Sequence, residues 1–373
     1  MIYLDYTAGT PVREEVLKKF VETERRFKGN PNSNHPLGNA ACQELERITT
    51  SIAKRLCISE NEIIYSSGAS EANNTAIKGL LHAPISLGKH IISTPLEHAS
   101  VKGALSFMKK MGYMVDYVHI GSDGRIDIDD LYRLLKQDTA MVCISAVDSE
   151  LGIIQPLDEI YEIVDNYSDC RIHVDATQAI GKIPFDFSRA DTISFSAHKF
   201  YGLAGSGILC KKKNVELEPL IHGSGDTSSY RAGTPTISLD AALETALQLS
   251  LDEMTSNYDL VKIKNKRLRK ALSKYKLVRF NSSEDGVPYI LNISVKGVKG
   301  TSFQRALADR NICVSVKSAC SSDGLPSESV MAVSNDRSNA LASWRISLSH
   351  LTTDNEMTKF LEAFDSCYVE LTK

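Results

Sequence analysis

Residues 191–199 read Asp-Thr-Ile-Ser-Phe-Ser-Ala-His-Lys, and small residues turn the chain directly afterwards at Gly202, Gly205 and Gly207. The apolar positions of the run alternate, which is typical of a β-strand. The run ends on Lys199, and a lysine at the end of a buried strand is costly unless it is neutral, paired or used covalently. The stretch therefore predicts a buried strand that carries an amine at its end.

A second buried strand precedes this one and ends in an acid. Residues 171–178 read Arg-Ile-His-Val-Asp-Ala-Thr-Gln, so we expect Asp175 and Lys199 at adjacent strand ends. This arrangement fits a pyridoxal phosphate (PLP) site, in which the lysine forms a Schiff base and the acid keeps the pyridine nitrogen protonated. A buried Lys–Asp ion pair fits these two residues about equally well.

The composition is that of a soluble globular enzyme. The chain has 373 residues, of which 42% are hydrophobic and 24% charged, with a net charge of -3. This charge gives no basis for non-specific nucleic-acid binding, and no apolar run approaches the ~20 residues that span a bilayer. We see no signal peptide at the N-terminus. The 8 cysteines are scattered, without a C-x-x-C pair, which favours reduced thiols in the cytoplasm over disulfides or a structural zinc site.

Strands and helices alternate through the first part of the chain. Strands are expected at 63–65, 90–93, 114–120 and 140–145, in addition to the two quoted above, with helical patterns between them. This order predicts an α/β fold with a mostly parallel sheet and helices on both faces. Ligands bind such sheets at the carboxyl ends of the strands, where Ser70, His98, Asp175 and Lys199 all fall.

The step from the first of these strands to its helix is rich in small residues. Residues 66–70 read Ser-Ser-Gly-Ala-Ser, and we expect the helix to begin near Ala72. Backbone amides at the helix start, together with the Ser70 hydroxyl, would form a cradle for a phosphate. An ordinary helix cap explains the same residues, and taken alone the pattern favours the cap.

The pattern changes around Ile237 to a helical stretch that reaches about Tyr275. After it we expect strands at 289–295, 312–316 and 344–348, and helices at 301–310 and from Asp354. This part reads as a separate α+β domain.

Short motifs occur along essentially the whole chain. In order they are Leu4-Asp-Tyr-Thr-Ala8, Gly29-Asn-Pro31, Ser67-Gly-Ala-Ser-Glu71, Glu97-His98, His173-Val-Asp-Ala-Thr-Gln178, Ser196-Ala-His-Lys199, Arg231-Ala-Gly-Thr234, Ser318-Ala-Cys320 and Trp344-Arg345. Together they resemble the NifS/IscS-like cysteine desulfurases, which belong to the class V, fold-type I PLP enzymes. The resemblance implies a large PLP-binding domain at 13–255 with a seven-stranded, mostly parallel sheet. It also implies a smaller α+β domain, formed by 1–12 and 256–373, that carries the loop of Cys320.

The resemblance also implies a role for each matching residue. Lys199 would be the Schiff-base lysine, Cys320 the nucleophile, and His98 the residue that stacks on the cofactor ring and shuttles protons. The other positions implied to bind cofactor or substrate are Asp175 at the ring nitrogen, Gln178 at the phenolic oxygen, Ala69, Ser70, Ser149, Ser196 and His198 around the cofactor and its phosphate, Thr234 from the neighbouring subunit of a homodimer, and Arg345 and Asn30 at the substrate. No metal is implied.

The implied activity converts L-cysteine to L-alanine and leaves the sulfur on Cys320 as a persulfide. An acceptor protein would then take the sulfur, either an iron–sulfur scaffold or an enzyme of tRNA or cofactor thiolation. The implied enzyme is a cytoplasmic homodimer with no membrane or direct nucleic-acid partner. A related lyase or aminotransferase, such as a selenocysteine lyase, and a largely non-catalytic sulfur-carrier or docking subunit are the alternatives. An aminotransferase would need Lys199, Asp175 and Arg345 but no thiol.

The chain departs from the family pattern in three places. Ser149 stands where asparagine is usual, Ser228 stands where arginine is usual, and Val316-Lys317-Ser318 replaces Ser-Gly-Ser. A serine cannot supply the two N–H donors of an amide. These changes bear on the catalytic rate, the substrate and the partner, and they leave the prediction of PLP binding almost untouched.

Overall fold

The computed structural model of the chain describes residues 1–82, 88–167, 169–224, 228–317 and 325–373. The strands are β1 (Ile2–Tyr3), β2 (Ile63–Ser66), β3 (His90–Ser93), β4 (Met114–Tyr117), β5 (Thr139–Ser145), β6 (Arg171–Asp175), β7 (Thr192–Ser196), β8 (Gly207–Lys211), β9 (Val278–Phe280), β10 (Ile290–Val295), β11 (Ile312–Cys313) and β12 (Ser343–Ser347). The α-helices are α1 (Glu14–Arg26), α2 (Pro36–Leu56), α3 (Ala69–His82), α4 (Ala99–Lys110), α5 (Ile128–Leu134), α6 (Leu157–Val164), α7 (Ile237–Asp252), α8 (Met254–Leu272), α9 (Gly300–Ala308), α10 (Glu328–Ser334), α11 (Arg337–Ala342) and α12 (Asp354–Leu371). Across these ranges, no helix combines the length and apolar character that a membrane span requires.

The main sheet contains, within the described ranges, seven strands in the order β2-β8-β7-β6-β5-β3-β4. Strand β8 is antiparallel to both of its neighbours, β2 and β7. The other neighbouring strands pair in parallel. The α/β fold with a mostly parallel, seven-stranded sheet, predicted from the alternation and from the resemblance, is therefore confirmed.

Both faces of the main sheet are covered by helices. In β5, Met141 and Cys143 belong to an apolar cluster with residues of α3 and α4, whereas Val142 and Ile144 belong to the cluster that includes residues of α2, α6 and α7. Successive residues of a strand point to opposite faces, so the strand is apolar at every position of this run. Burial on both sides explains why the central strands read as continuous apolar runs.

Strand β8 has no counterpart in the sequence prediction, which places only a turn between Lys199 and Ile237. All residues of Gly207–Lys211 are buried, and a short run without alternation carries little periodic signal. Gly207 makes a close approach to the loop after β2, because a Cβ on it would come within 2.6 Å of the Gly68 Cα. The strand thereby brings the Gly68 loop against the end of β7.

The helical stretch expected from Ile237 to about Tyr275 consists of two helices, α7 and α8. They are separated at Glu253, whose backbone has φ -97° and ψ 0°. The Glu253 carboxylate accepts a hydrogen bond of 2.6 Å from Arg13. This ion pair links the junction between α7 and α8 to Arg13, the residue that precedes α1.

The remaining sheets combine the N-terminus with the C-terminal third of the chain. Strand β10 pairs antiparallel with β12 and β9, and β1 pairs in parallel with β11. Asp5 also forms an isolated bridge to Ser347. The division into 13–255 and 1–12 with 256–373 stays a prediction, and the pairing of β1 with β11 supports it.

Candidate active site

A cavity of about 340 Å³ lies at the carboxyl ends of the main-sheet strands. Its volume falls within the range of small-molecule sites, about 300–1,000 Å³. The residues of the sequence prediction that line it are Ala69, Ser70, His98, Ser149, Asp175, Gln178, Ser196, His198, Lys199 and Arg345. The strand topology thus brings most of the predicted residues to one place.

The strand ends explain this convergence. Strands β2, β3, β5, β6 and β7 run in the same direction, so their carboxyl ends share one edge of the sheet. Asp175 is the last residue of β6, and Lys199 ends a 3₁₀ turn, Ala197–Lys199, that follows β7. His98 immediately precedes α4, and Ser70 lies in the first turn of α3.

The amine of Lys199 is held by the N-terminal segment. Its Nζ donates hydrogen bonds to the carbonyl oxygens of Thr7 at 2.9 Å and Ala8 at 2.8 Å. The Thr10 hydroxyl donates to the carbonyl of His198 at 2.9 Å and accepts from the backbone N–H of Tyr201 at 2.7 Å. The first residues of the chain therefore clamp the turn that carries the lysine.

The carboxylate of Asp175 is buried, with 5% of the residue exposed. Its Oδ1 accepts from the backbone N–H of Thr177 at 2.9 Å, and its Oδ2 accepts from the side-chain amide of Asn73 at 2.8 Å. Each carboxylate oxygen has more than one lone pair, so capacity for a further donor remains. A pyridine N–H in the cavity is a donor that suits this carboxylate.

The imidazole of His98 caps the N-terminus of α4. Its Nδ1 accepts from the backbone N–H of Ser100 at 3.2 Å. Burial lowers the pKa of His98, and the charge of Asp175 only partly opposes this effect. Desolvation disfavours the charged form of a histidine, so we expect a neutral ring with its proton on Nε2.

Ser196 and His198 form a polar corner at the end of β7. The Ser196 hydroxyl lies 2.8 Å from the His198 Nδ1, and a Cβ added to Gly68 would lie 3.2 Å from the same hydroxyl oxygen. Burial, with the charges of Lys199 and Lys182, lowers the pKa of His198 to about 4. The closeness of Gly68 to Ser196 places this corner beside the start of α3. Backbone N–H groups at the start of a helix attract anions.

Gln178 is oriented by a buried lysine four residues further along the chain. Its side-chain amide nitrogen donates to the Thr7 carbonyl at 3.2 Å, and its oxygen accepts from the Lys182 Nζ at 2.6 Å. Burial, reinforced by the charges of Lys199 and Arg345, lowers the pKa of Lys182 to about 7. Because the lysine occupies the amide oxygen, the N–H donors of Gln178 point away from it.

The guanidinium of Arg345 is 1% exposed and is held from two sides. It donates to the Ser149 backbone carbonyl at 2.8 Å and pairs with the Asp5 carboxylate at 2.9 Å. Asp5 also accepts from the Ser315 hydroxyl at 2.7 Å. Nη1 and Nη2 of Arg345 each carry two N–H groups, and these two bonds use one on each nitrogen. Donors therefore remain for a ligand carboxylate in the cavity that Arg345 lines.

Two predicted residues, Thr234 and Asn30, do not line this cavity in the single chain. Thr234 lines a separate cavity of about 390 Å³ that it shares with Tyr65 and Arg231. The Asn30 side chain accepts from the backbone N–H of Asn32 at 2.9 Å, in the turn before α2. Cys320, with the rest of 318–324, lies outside the described residues.

Other residues of the site are missing from the sequence prediction, namely Asn73, Lys182 and the pairing of Asp5 with Arg345. Asn73 shares a helix face with Ala76, Ile77 and Leu80, all of them buried. A polar residue on an apolar face is a signal that could have indicated a buried hydrogen-bonding role. No comparable pattern in the sequence marks the other two.

The donors and acceptors of the cavity fit PLP. They supply an amine for its aldehyde, a carboxylate for its ring nitrogen, and hydroxyl and backbone groups for its phosphate, at Lys199, Asp175 and the corner of Ser196. No cluster of three or more histidine, cysteine or acidic residues suited to a metal occurs among the residues that the structure describes.

Comparisons with known proteins identify the family of the chain. The chain matches the family described as aminotransferase class V over residues 2–360. It is 35% identical to a Lactobacillus delbrueckii subsp. bulgaricus protein named NifS/IcsS protein homolog, over 100% of this chain and 98% of the relative. It is 34% identical to the cysteine desulfurase IscS of Dictyoglomus turgidum, over 98% and 93% of the two chains. A solved structure described as a NifS-like protein superposes with a TM-score of 0.93 at 31% identity, covering 99% of this chain and 100% of that one.

Proposed function

The chain belongs to the aminotransferase class V family, and from this premise we propose that it is a PLP-dependent cysteine desulfurase that converts L-cysteine to L-alanine. One observation carries the proposal: a single cavity gathers the Lys199 amine, the Asp175 carboxylate, the His98 imidazole and the Arg345 guanidinium. These are the groups that amino-acid chemistry on a pyridoxal ring requires.

The cavity residues would hold the cofactor through separate contacts. Lys199 would bond covalently to its aldehyde, Asp175 would face its ring nitrogen, and an N–H of Gln178 would reach its phenolic oxygen. Ser70 and the corner of Ser196 and His198 would take the phosphate. When bound, the cofactor supplies an electron sink that acidifies the Cα–H of an amino acid.

The chain's own groups would place the substrate and move its protons. Arg345 would hold the carboxylate of cysteine, a task that suits a guanidinium with a planar fork of donors. Its pairing with Asp5 and Ser149 fixes that fork at the cavity wall. The Lys199 Nζ would take up the Cα proton, and the Nε2–H of His98 would serve as the donor on the other side of the site.

The sulfur would leave on a thiol of the protein. A thiolate attacks the substrate sulfur, the carbon–sulfur bond breaks and a sulfur–sulfur bond forms, so that cysteine plus a protein thiol become alanine plus a protein persulfide. No external oxidant or reductant is needed. We assign the thiol to Cys320. The assignment rests on the motif Ser318-Ala-Cys320 alone, since this residue lies outside the described ranges.

The partners follow from the same proposal. Thr234, which lies away from this chain's cavity, would complete the phosphate site of the other subunit in a homodimer. Asn30 remains proposed for the substrate. The persulfide would pass to an acceptor protein of iron–sulfur assembly or thiolation, and a cytoplasmic location stays a prediction from the scattered cysteines.

The proposal is tested with purified protein, PLP and L-cysteine. We expect a visible absorbance band from lysine-bound PLP that is absent in Lys199→Ala, equimolar alanine and sulfide in the presence of a reductant, and one added sulfur on the peptide that contains Cys320. Cys320→Ala should keep the band and lose the sulfide. Alanine formation at the wild-type rate in Cys320→Ala would contradict the thiol assignment, and formation of a keto acid would favour an aminotransferase.

A further inference from the structure

Asn73 lies beneath the cavity and is fully buried, with 0% of the residue exposed. Its amide nitrogen donates to Asp175 Oδ2 at 2.8 Å and to the Ser100 hydroxyl at 2.9 Å. Its amide oxygen accepts from His173 Nε2 at 2.9 Å and from the Ser194 hydroxyl. A side-chain amide has two N–H donors and two acceptor lone pairs, so every hydrogen-bonding position of Asn73 is used.

The direction of each bond is determined by the chemistry of its partners. Asp175 can only accept when it is ionised, so the amide nitrogen of Asn73 must face it and the amide oxygen must face His173. His173 therefore carries its proton on Nε2, and its Nδ1 accepts from the Thr192 hydroxyl at 2.9 Å. Burial lowers the pKa of His173 to about 4, which agrees with a neutral ring that bears a single proton.

The same reasoning determines the tautomer of His98, which Asn73 reaches through Ser100. The Ser100 hydroxyl accepts from Asn73, so its own hydrogen is free to point at the His98 Nδ1, which lies 2.9 Å away. That nitrogen also accepts from the Ser100 backbone N–H at 3.2 Å. With two donors directed at Nδ1, the proton of the neutral His98 ring must lie on Nε2.

We propose that Asn73 is a positioning residue that orients Asp175 with one amide hydrogen and, through Ser100, keeps His98 in the Nε2–H form with the other. The inference rests on the proposed function, because it concerns the two groups that would face the ring nitrogen and the ring of PLP. Asn73 itself does not line the cavity, so its effect would pass through Asp175 and His98.

Two substitutions separate the two branches of this network. Asn73→Leu keeps the approximate size of the side chain and removes all of its hydrogen bonds. Ser100→Ala removes the branch to His98 and leaves the bond between Asn73 and Asp175. Asn74→Ala is the matched control on the same helix, because Asn74 contacts the Ser70 backbone carbonyl and takes no part in the network.

The first measurement is the rate at which PLP leaves the loaded protein, followed by its visible absorbance during dialysis. We expect Asn73→Leu to lose PLP about tenfold faster or more, since a hydrogen bond to the buried carboxylate is lost. Ser100→Ala and Asn74→Ala should match the wild type within about twofold. The second measurement is the tautomer of His98, read from nitrogen chemical shifts of histidine-labelled protein, with the signal assigned by its absence in His98→Gln.

The wild type and Asn74→Ala should show the Nε2–H form alone. Ser100→Ala keeps the backbone N–H at Nδ1 but loses the hydroxyl donor, and it should show a measurable fraction of the Nδ1–H form beside the Nε2–H form. A wild-type ring protonated on Nδ1, or a Ser100→Ala spectrum identical to the wild type, would overturn the inference even if Asn73→Leu fails to fold. Retention of PLP by folded Asn73→Leu at the wild-type rate would overturn the Asp175 branch. Both readouts are independent of cysteine turnover, so a protein that holds PLP but makes no alanine would contradict the proposed function alone.

Discussion

Replacing the buried Lys182 by methionine should change the stability of the protein in opposite directions at low and high pH. Lys182 is 8% exposed and makes a hydrogen bond of 2.6 Å to the amide oxygen of Gln178. Its cationic form is opposed first by burial and then by the charges of Lys199 and Arg345, which lower the pKa from 10.5 to about 7. Methionine fills similar space and carries no charge.

The magnitude follows from the linkage between protonation and folding. Between pH 7 and 10.5 the unfolded chain holds the Lys182 proton and the folded chain does not, so stability rises with pH across this window. Below the window the amine costs the folded state about 5 kcal/mol. The substitution removes this cost but leaves the Gln178 oxygen without its donor, which costs about 1–3 kcal/mol.

We therefore expect the stability difference between Lys182→Met and the wild type to change sign with pH. Lys182→Met should be more stable than the wild type by about 2–4 kcal/mol below pH 7, and less stable by about 1–3 kcal/mol above pH 10.5. The two stabilities should cross between about pH 8 and 10. A single comparison at neutral pH would show only the gain.

Urea unfolding of PLP-free protein, in which the Lys199 amine keeps its charge, measures the effect at about pH 6 and about pH 10. Lys213→Met is the control, because Lys213 is exposed and its loss should change the free energy of unfolding by no more than about 0.5 kcal/mol at either pH. A Lys182→Met variant that is less stable than the wild type at both values would refute the reasoning. So would a stability difference that does not vary with pH.

Three further predictions concern the substrate site, the core and the pH profile. Arg345→Lys should raise the KM for cysteine about tenfold or more with a smaller change in kcat, since a lysine cannot reproduce the planar fork that is held by Asp5; steady-state kinetics would contradict this if kcat alone fell. Trp344→Ala should lower the free energy of unfolding by about 3–5 kcal/mol, because the indole is fully buried and stacks on Phe303 with ring centroids 5.0 Å apart. A loss below about 1 kcal/mol in urea unfolding would contradict this and show that neighbouring side chains fill the space. Burial lowers the pKa of His98 from 6.5, so the acid limb of kcat/KM that depends on neutral His98 should lie below pH 6.5, and a limb above that value would count against a buried ring.

The sequence predicts the main sheet well because its signals are local. Strand runs, small-residue loops and the residues at strand ends can each be read within a short window, and parallel topology then brings the ends to one edge. This reasoning places Asp175, Lys199, His98 and Ser70 at one edge of the sheet from the sequence alone. It fails for β8, because this buried strand of five residues, Gly207–Lys211, has no alternation of apolar and polar residues. It also fails for α10 and α11, short helices that the sequence analysis does not predict.

The hydrogen-bond partners of the site residues cannot be predicted from short stretches of sequence. Asp175 and Asn73 are 102 positions apart, and Arg345 and Asp5 are 340 apart. Each pair meets only after the sheet and the two chain ends have assembled. Local patterns therefore identify the groups that would contact a ligand, whereas the groups that orient them depend on the tertiary fold.

The mutual repulsion of the cations around the cavity also depends on the tertiary fold. The charges of Lys199 and Arg345 help to lower the pKa of Lys182, and those of Lys199 and Lys182 help to lower the pKa of His198. Cations that destabilise one another in this way favour an anionic ligand, because its charge offsets the repulsion. A phosphate-bearing cofactor and the carboxylate of an amino acid are both anions. The repulsion among Lys182, Lys199 and Arg345 thus favours the ligands that we propose, even though no single residue of the sequence specifies it.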